Sequence, residues 1–512
     1  MSMQQSKVHD RHCDNAPTTS GTASTIGPIN SAATEPSCCL LQPLIQLYIS
    51  CHTRAGHLDE FFRHENQACP PALCDGGKLC LGTKSDLLTC FEEISDVRSG
   101  APTTTSIVLD GAANVQMLKP ATCKNFREYA QQIFIPYMST RLQSSSRLGL
   151  VWDIYTADSL KASARAKHGK GLCRCVVAEA DIPRNWQNFL RVDINKTQLF
   201  KFLSEAALQW FNLKDKQLFI TDGEEEVCNK PLLSDLSSLA QCTHEEADSR
   251  MLLHASHAAR HGHHKIMIRT VDTDVMVLAV LVAQNLQPEN ELWIAFGTGK
   301  RLRYLAAHEV ANGLGPEKAQ ALPMFHSVTG CDTVSSFASH GKKTAWAVWN
   351  MLSELTKTLL NLSSAPSDIP EEVLHAMERF VILLYGRTST CTDTDKARKK
   401  LFARKNNAEL IPPTKAALEE HVKRAAYQGG HVWGHVLLPV PALPPQPAGS
   451  GPKVRRGCMS PTGLPRLPQA AQTCRELLSC KCKKGCVKRC KCKKAALDCT
   501  ALSLCEGECT QN

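Results

Sequence analysis

Ile266-Met-Ile-Arg-Thr-Val-Asp-Thr-Asp274 is a short, largely apolar run that ends in two aspartates, Asp272 and Asp274. Its length suits a strand buried on both faces of a parallel sheet. Two runs upstream end the same way. Ser106-Ile-Val-Leu109 is closed by Asp110, and Leu148-Gly-Leu-Val-Trp152 by Asp153. Ligands of open parallel sheets bind outside the carboxyl ends of the strands. Three strands that each deliver an aspartate to that edge predict one acidic pocket. Strand-like and helix-like segments alternate over residues 104–390. That alternation predicts an α/β domain, a mainly parallel sheet flanked by helices.

Two further segments fit the same pocket. Thr243-His-Glu-Glu246 reads as a capping box ahead of a helical pattern with Met251, Leu252, Ala255 and Ala259 on one face. Glu246 and Asp248 fall in its first turn. Thr329-Gly-Cys-Asp332 reads as a tight turn carrying an aspartate, and Gly341-Lys-Lys-Thr344 opens another helix. An aspartate after a strand is commonly only a helix cap or a turn residue. The weight lies in Asp110, Asp153, Glu246, Asp248, Asp272, Asp274 and Asp332 occurring together. Carboxylates crowded into one pocket cannot all ionise without cations. Mg²⁺ and Mn²⁺ take oxygen ligands and resolve the conflict. Two such ions can activate a water and stabilise the leaving oxygen in phosphodiester hydrolysis, so the set predicts metal-dependent phosphoryl chemistry.

The chain has 512 residues, 43% of them hydrophobic, and a formal net charge of +10. Eight basic and no acidic residues lie between Lys481 and Lys494, and removing those eight from the net charge leaves only +2. A local basic block of that kind points to a polyanion such as nucleic acid. The longest apolar run, Val275 to Ala283, is too short to cross a bilayer. The first twenty residues are polar and carry no apolar signal segment. Thiols kept reduced inside the cell make the 25 cysteines free thiols or metal ligands. Eight of them crowd the tail: Cys480, Cys482, Cys486, Cys490, Cys492, Cys499, Cys505 and Cys509. Repeated Cys-x-Cys suits bridging thiolates in a polynuclear zinc site. Lys483, Lys484, Lys488 and Arg489 among them are candidates for phosphate contact.

The expected organisation is a disordered segment 1–39, an extension 40–103 without a fold assignment, and the α/β domain 104–390. A basic helical segment 391–438, a Pro/Gly-rich linker 439–473 and the cysteine module 474–512 follow. Other groups carry less weight. His257 and His261 are four apart but suit a helix end capped by Gly262. Cys69, Cys74, Cys80 and Cys90 have no spacing that specifies a zinc site.

The order of acidic segments resembles the PIN-like nuclease fold in its flap endonuclease (XPG-type) branch. Val108-Leu-Asp110-Gly111 and Val151-Trp-Asp153 resemble its first two strands, and Glu246-Ala-Asp248 its Glu-Ala-Glu helix start. Asp272-Thr-Asp274 resembles its Asp-x-Asp, and Gly330-Cys-Asp332 its Gly-x-Asp turn. The likeness spans residues 104–350. It implies a two-metal nuclease acting on structured DNA or RNA, with the seven acids as catalytic Mg²⁺ or Mn²⁺ ligands. It also implies Lys161, Arg165, Lys342 and Lys343 as phosphate contacts. The tail resembles one repeat of a tesmin-like CXC domain, a zinc module that binds DNA, with Ser503 in place of one cysteine. The whole chain also resembles a group of multicopy animal proteins, which implies mobile-element ancestry. The expected function is thus a metal-dependent nuclease tethered to DNA by a zinc cluster, placed in the nucleus or else the cytoplasm, with no membrane partner. The alternative is a catalytically inert DNA-binding or chromatin protein that uses the CXC-like cluster.

Overall fold

Seven strands make one sheet: β1 (Ser106–Asp110), β2 (Arg147–Val151), β3 (Gln217–Asp222), β4 (Glu226–Lys230), β5 (Lys265–Thr270), β6 (Glu291–Phe296) and β7 (Arg303–Ala306). Their order is β4-β3-β2-β1-β5-β6-β7. The inner five, β3, β2, β1, β5 and β6, run parallel. The two edge strands, β4 and β7, are antiparallel to their neighbours. The computed structural model describes residues 58–441 and Cys490, except 66–68, 76–77, 96, 99, 156–171, 223–225, 231–235, 237–238, 240–241, 245, 367 and 406–409. The N-terminal segment 1–39, most of the linker, Lys161, Arg165, Lys483, Lys484, Lys488, Arg489 and every tail cysteine but Cys490 lie outside the described residues.

Strands β1 and β2 are buried along their whole length, and β5 from Ile266 onward, as their apolar runs require. Ile107 and Leu109 point into one core while Val108 points into the other. Met267 and the pair Ile266 and Ile268 divide in the same way. This is the two-residue period of a strand read on two apolar faces. Helices Ile135–Gln143 and Asp193–Trp210 cover one face. Helices Ala247–Arg260, Thr273–Ala283 and Ala307–Leu314 cover the other, with Pro316–Val328 packed behind them. The fold is therefore a mixed α/β architecture with a mostly parallel sheet between helical layers. From β1 the chain adds β2 and β3 on one side, then returns to place β5 and β6 on the other. The carboxyl ends of β1 and β5 thus lie at the point where the winding reverses, where such sheets hold ligands.

The expected domain boundaries at 104 and 390 are not boundaries of packing. Phe61, Phe62, Leu73, Leu87, Leu88 and Phe91 from the extension sit in the same core as Ile268 and Val275. Leu401, Phe402, Leu418, Val422 and Trp433 from beyond 390 join it as well. Backbone bonds fasten the extension further, with Ser336 N–H donating to Cys80 O at 2.8 Å and Ala338 N–H to Ala72 O at 2.8 Å. The basic segment is two helices, Thr394–Lys405 and Lys415–Ala426. Among the described residues no helix is long and apolar enough to cross a membrane.

Gly111 shows how closely the strand ends are fitted. A Cβ there would lie 2.2 Å from Cε3 of Trp152. Trp152 cannot retreat: its ring stacks on Phe200 at 4.3 Å and on Phe134 at 6.2 Å, and its Nε1–H donates to Ser204 Oγ at 2.8 Å. Gly111→Ala is expected to destabilise the protein by about 1–3 kcal/mol, the usual range for overpacking a filled core. Urea denaturation measures it, and an unchanged midpoint would contradict the fit.

Candidate metal centre

Asp110 ends β1 and caps the helix that follows. Its Oδ1 accepts from Ala113 N–H at 2.9 Å, and its Oδ2 from the Thr270 hydroxyl at the end of β5 at 3.1 Å. Burial and the nearby Asp153 push its carboxyl up to about 7, against the pull of those two donors. Asp153, just past β2, reaches across to the helix Ala247–Arg260, where its Oδ1 accepts from Ala247 N–H at 3.0 Å. The expected capping box is therefore corrected. Glu246, not Thr243, is the N-cap residue, and Glu246 makes no side-chain cap bond. The first helical amide is satisfied by the residue that follows β2 instead. This satisfies an orphan helix donor and ties the helix start to the sheet edge.

That tie places Asp248, in the helix's first turn, against Asp272 and Asp274. One carboxylate oxygen from each of the three lies within 4.8 Å of the others. Asp272 is the N-cap of helix Thr273–Ala283, with its Oδ1 accepting from Asp274 N–H at 2.9 Å. Asp274 is buried in the first turn of the same helix. The turn after helix Pro316–Val328 brings Asp332 to the rim, 42% exposed. Gly330 makes this turn possible: its φ of +107° suits glycine, and a Cβ would meet Ser336 at 2.7 Å. The structure thus joins Asp248, Asp272 and Asp274 directly. It links Asp332 to them through a lysine, and sets Asp110 and Asp153 at the neighbouring strand ends.

Two residues of the centre carried no signal in the sequence. Lys84 belongs to the extension and enters the cluster ahead of helix Asp86–Glu92. Its Nζ lies 3.1 Å from Asp272 Oδ1, 3.1 Å from Asp274 Oδ1 and 2.9 Å from Asp332 Oδ1. Burial alone would lower its pKa, but the three carboxylates outweigh burial and raise it. Asp272 nevertheless keeps a raised pKa, because burial and Asp274 together outweigh the ammonium. The second residue is His326, fully buried behind Asp274, with its Nε2 at 2.9 Å from Asp274 Oδ1. Burial, then Lys342, lowers its pKa to about 4, so the neutral ring donates Nε2–H to the carboxylate.

The expected phosphate contacts divide. Lys343 is exposed at the start of helix Lys342–Met351, where the free amides also favour an anion. Lys342 is buried, and its Nζ donates to His326 O at 2.6 Å and Thr329 Oγ1 at 2.8 Å. It braces the aspartate turn from inside and does not present its ammonium to a backbone phosphate. Among the described residues, Asp248, Asp272 and Asp274 are the group of three or more His, Cys, Asp or Glu residues close enough to share an ion. Cys69, Cys74, Cys80 and Cys90 form no such group. His257 and His261 stack at 4.0 Å at the helix end, and His257 Nδ1 lies 2.9 Å from Arg147 Nη2. That ring nitrogen is taken by the guanidinium, and His261 Nδ1 bonds the helix-end carbonyl of His257 at 2.8 Å.

The donor set of the centre is all carboxylate oxygen. That chemistry fits hard divalent ions such as Mg²⁺ and Mn²⁺ and disfavours soft, thiolate-seeking metals. A scan against protein-family models finds no match to this chain, and a search of curated proteins finds none either.

Proposed function

We propose that the chain is a metal-dependent nuclease of PIN-like, flap-endonuclease type that hydrolyses phosphodiester bonds in DNA. The observation that carries this reading is the convergence of Asp248, Asp272 and Asp274 at the carboxyl end of β5, beside the ends of β1 and β2. Asp248, Asp272 and Asp274 would hold one Mg²⁺ or Mn²⁺; Asp110, Asp153, Glu246 and Asp332 form no second such group among the described residues, so a second ion would need them to draw closer. Such ions supply an acidified water and offset the charge that develops on the reacting phosphate. The chain itself orients the ligands: Asp272 is fixed by its cap bond, and Asp274 by His326. Lys343 would receive a backbone phosphate. The tail cysteines would hold zinc and tether the protein to DNA.

One observation favours a second reading. Lys84 already pairs with three of the acids, as in a structural ion-pair network of an inert DNA-binding protein. Cleavage of labelled flap, nicked, single-stranded and hairpin DNA by the full-length protein, in Mn²⁺ and in Mg²⁺, separates the two. The nuclease reading expects cuts that need the metal and vanish in the Asp272→Asn/Asp274→Asn double variant. Salt-sensitive DNA binding without any cleavage would replace it with the second reading.

A further inference from the structure

Lys84 places a positive charge against Asp272 and Asp274, two of the three carboxylates close enough to share a metal. Its Nζ meets the Oδ1 atoms of Asp272, Asp274 and Asp332 at 2.9–3.1 Å. These residues come from two separate segments, the end of β5 and the turn at Gly330. A small divalent ion held by Asp248, Asp272 and Asp274 would use two of those three carboxylates, with ligand oxygens at roughly 2.0–2.1 Å for Mg²⁺. An ion ligated by both Asp272 and Asp274 would therefore lie within a few ångströms of the ammonium. Like charges that close repel strongly wherever water is partly excluded.

The backbone around Lys84 is held on both sides. Upstream, Ser336 donates to Cys80 O through both its N–H at 2.8 Å and its hydroxyl at 3.0 Å. Downstream, helix Asp86–Glu92 buries Leu87, Leu88 and Phe91, and the Phe91 ring packs on Trp346 at 5.9 Å. The side chain is the movable part. It retains 21% exposure, and a lysine stem can rotate its head toward water without moving the main chain. Residues 81–83 beside it are exposed.

We propose that Lys84 is a built-in latch: its ammonium holds Asp272 and Asp274 of the cluster and must swing out when a metal enters. This inference rests on the metal-centre reading above. The N-terminal extension then sets how readily the centre loads, which gives the extension a function beyond core packing.

The test is Mn²⁺ binding to the full-length protein, followed by the electron paramagnetic resonance of free Mn²⁺. Wild type, Lys84→Met and Asp274→Asn are compared. Lys84→Met is expected to bind Mn²⁺ at least about tenfold more tightly than wild type, as removal of one competing charge predicts. Its melting temperature should fall below that of wild type in chelator and recover in Mn²⁺. A reading that needs no variant is reductive methylation of wild-type lysines, located by mass spectrometry. Mn²⁺ should raise labelling of Lys84 several-fold as the ammonium leaves the carboxylates. Unchanged Lys84 labelling, or equal or weaker binding by Lys84→Met, overturns the latch while Asp274-dependent binding in wild type leaves the metal centre standing. Absence of Mn²⁺ binding in both wild type and Lys84→Met removes the metal centre, and the latch with it.

Discussion

Asp274→Asn is expected to leave the fold intact and to lower metal-dependent cleavage by roughly 10²–10³-fold, the usual loss when one preorganised electrostatic contact is removed from an active site. Asparagine is the informative replacement. Its amide oxygen can still accept from His326 Nε2–H and from Lys84, which lie 2.9 and 3.1 Å from Asp274 Oδ1. What disappears is one negative charge in a buried position, where water screens little. The same change at Asp332, which is 42% exposed, should cost much less. Alanine at Asp272 would confuse the result, because it also removes the cap bond to Asp274 N–H, worth about 1 kcal/mol. Cleavage at saturating Mn²⁺, with the melting temperature as the control for folding, measures the effect. Undiminished turnover by Asp274→Asn would exclude a reaction at this cluster.

The strand aspartates were legible because their signal is local. An apolar run of strand length followed by Asp places the carboxylate at a strand end, and a parallel sheet gathers those ends on one edge. Asp110, Asp153 and Asp272 follow from that rule alone. Asp248 stands in the first turn, as its sequence position suggests, but the N-cap is Glu246, three residues past Thr243, because the first helical amide is held by Asp153, 94 positions away in the sequence. Lys342 departs from the phosphate contact that the resemblance implies for a different reason. Lys342, Ala345, Trp346 and Trp349 share one helical face at spacings of three, four and seven, and all four are buried. The helical period thus outweighs the charge of the Gly-Lys-Lys-Thr string. Lys84 gave no sign at all. It meets Asp272 across 188 positions, from a stretch without helical or strand period. Long-range ion pairs leave no mark on local pattern, so the extension's part in the centre emerges only in three dimensions.

The same long-range logic makes Glu65 the most sensitive point in the docking of that extension. Glu65 and Arg398 are both buried, with guanidinium nitrogens 3.4 Å from Oε1 and Oε2. Arg398 also donates to Phe62 O at 3.1 Å and to Pro412 O at 2.5 Å, while Glu65 Oε1 accepts from Thr414 N–H at 3.0 Å. Three chain segments meet at this pair. Glu65→Ala would strand a buried guanidinium and a buried amide together, so it is expected to cost about 3–5 kcal/mol. That is a large share of the roughly 5–15 kcal/mol that holds a typical domain folded. Replacing both partners in Glu65→Ala/Arg398→Met should recover part of the loss, because no uncompensated charge then remains. Asp59, which pairs with Lys399 at the surface, provides the contrast: Asp59→Ala should cost less than about 1 kcal/mol. Guanidinium denaturation of the four proteins tests the order. A Glu65→Ala protein as stable as Asp59→Ala would mean that the extension does not dock through this pair. If the order holds, loosening Glu65 should also loosen Lys84, since the core that anchors Phe61 and Phe62 also anchors Leu87, Leu88 and Phe91. A chain cut to begin at residue 104 would then lose the metal centre's lysine together with part of the core beneath it.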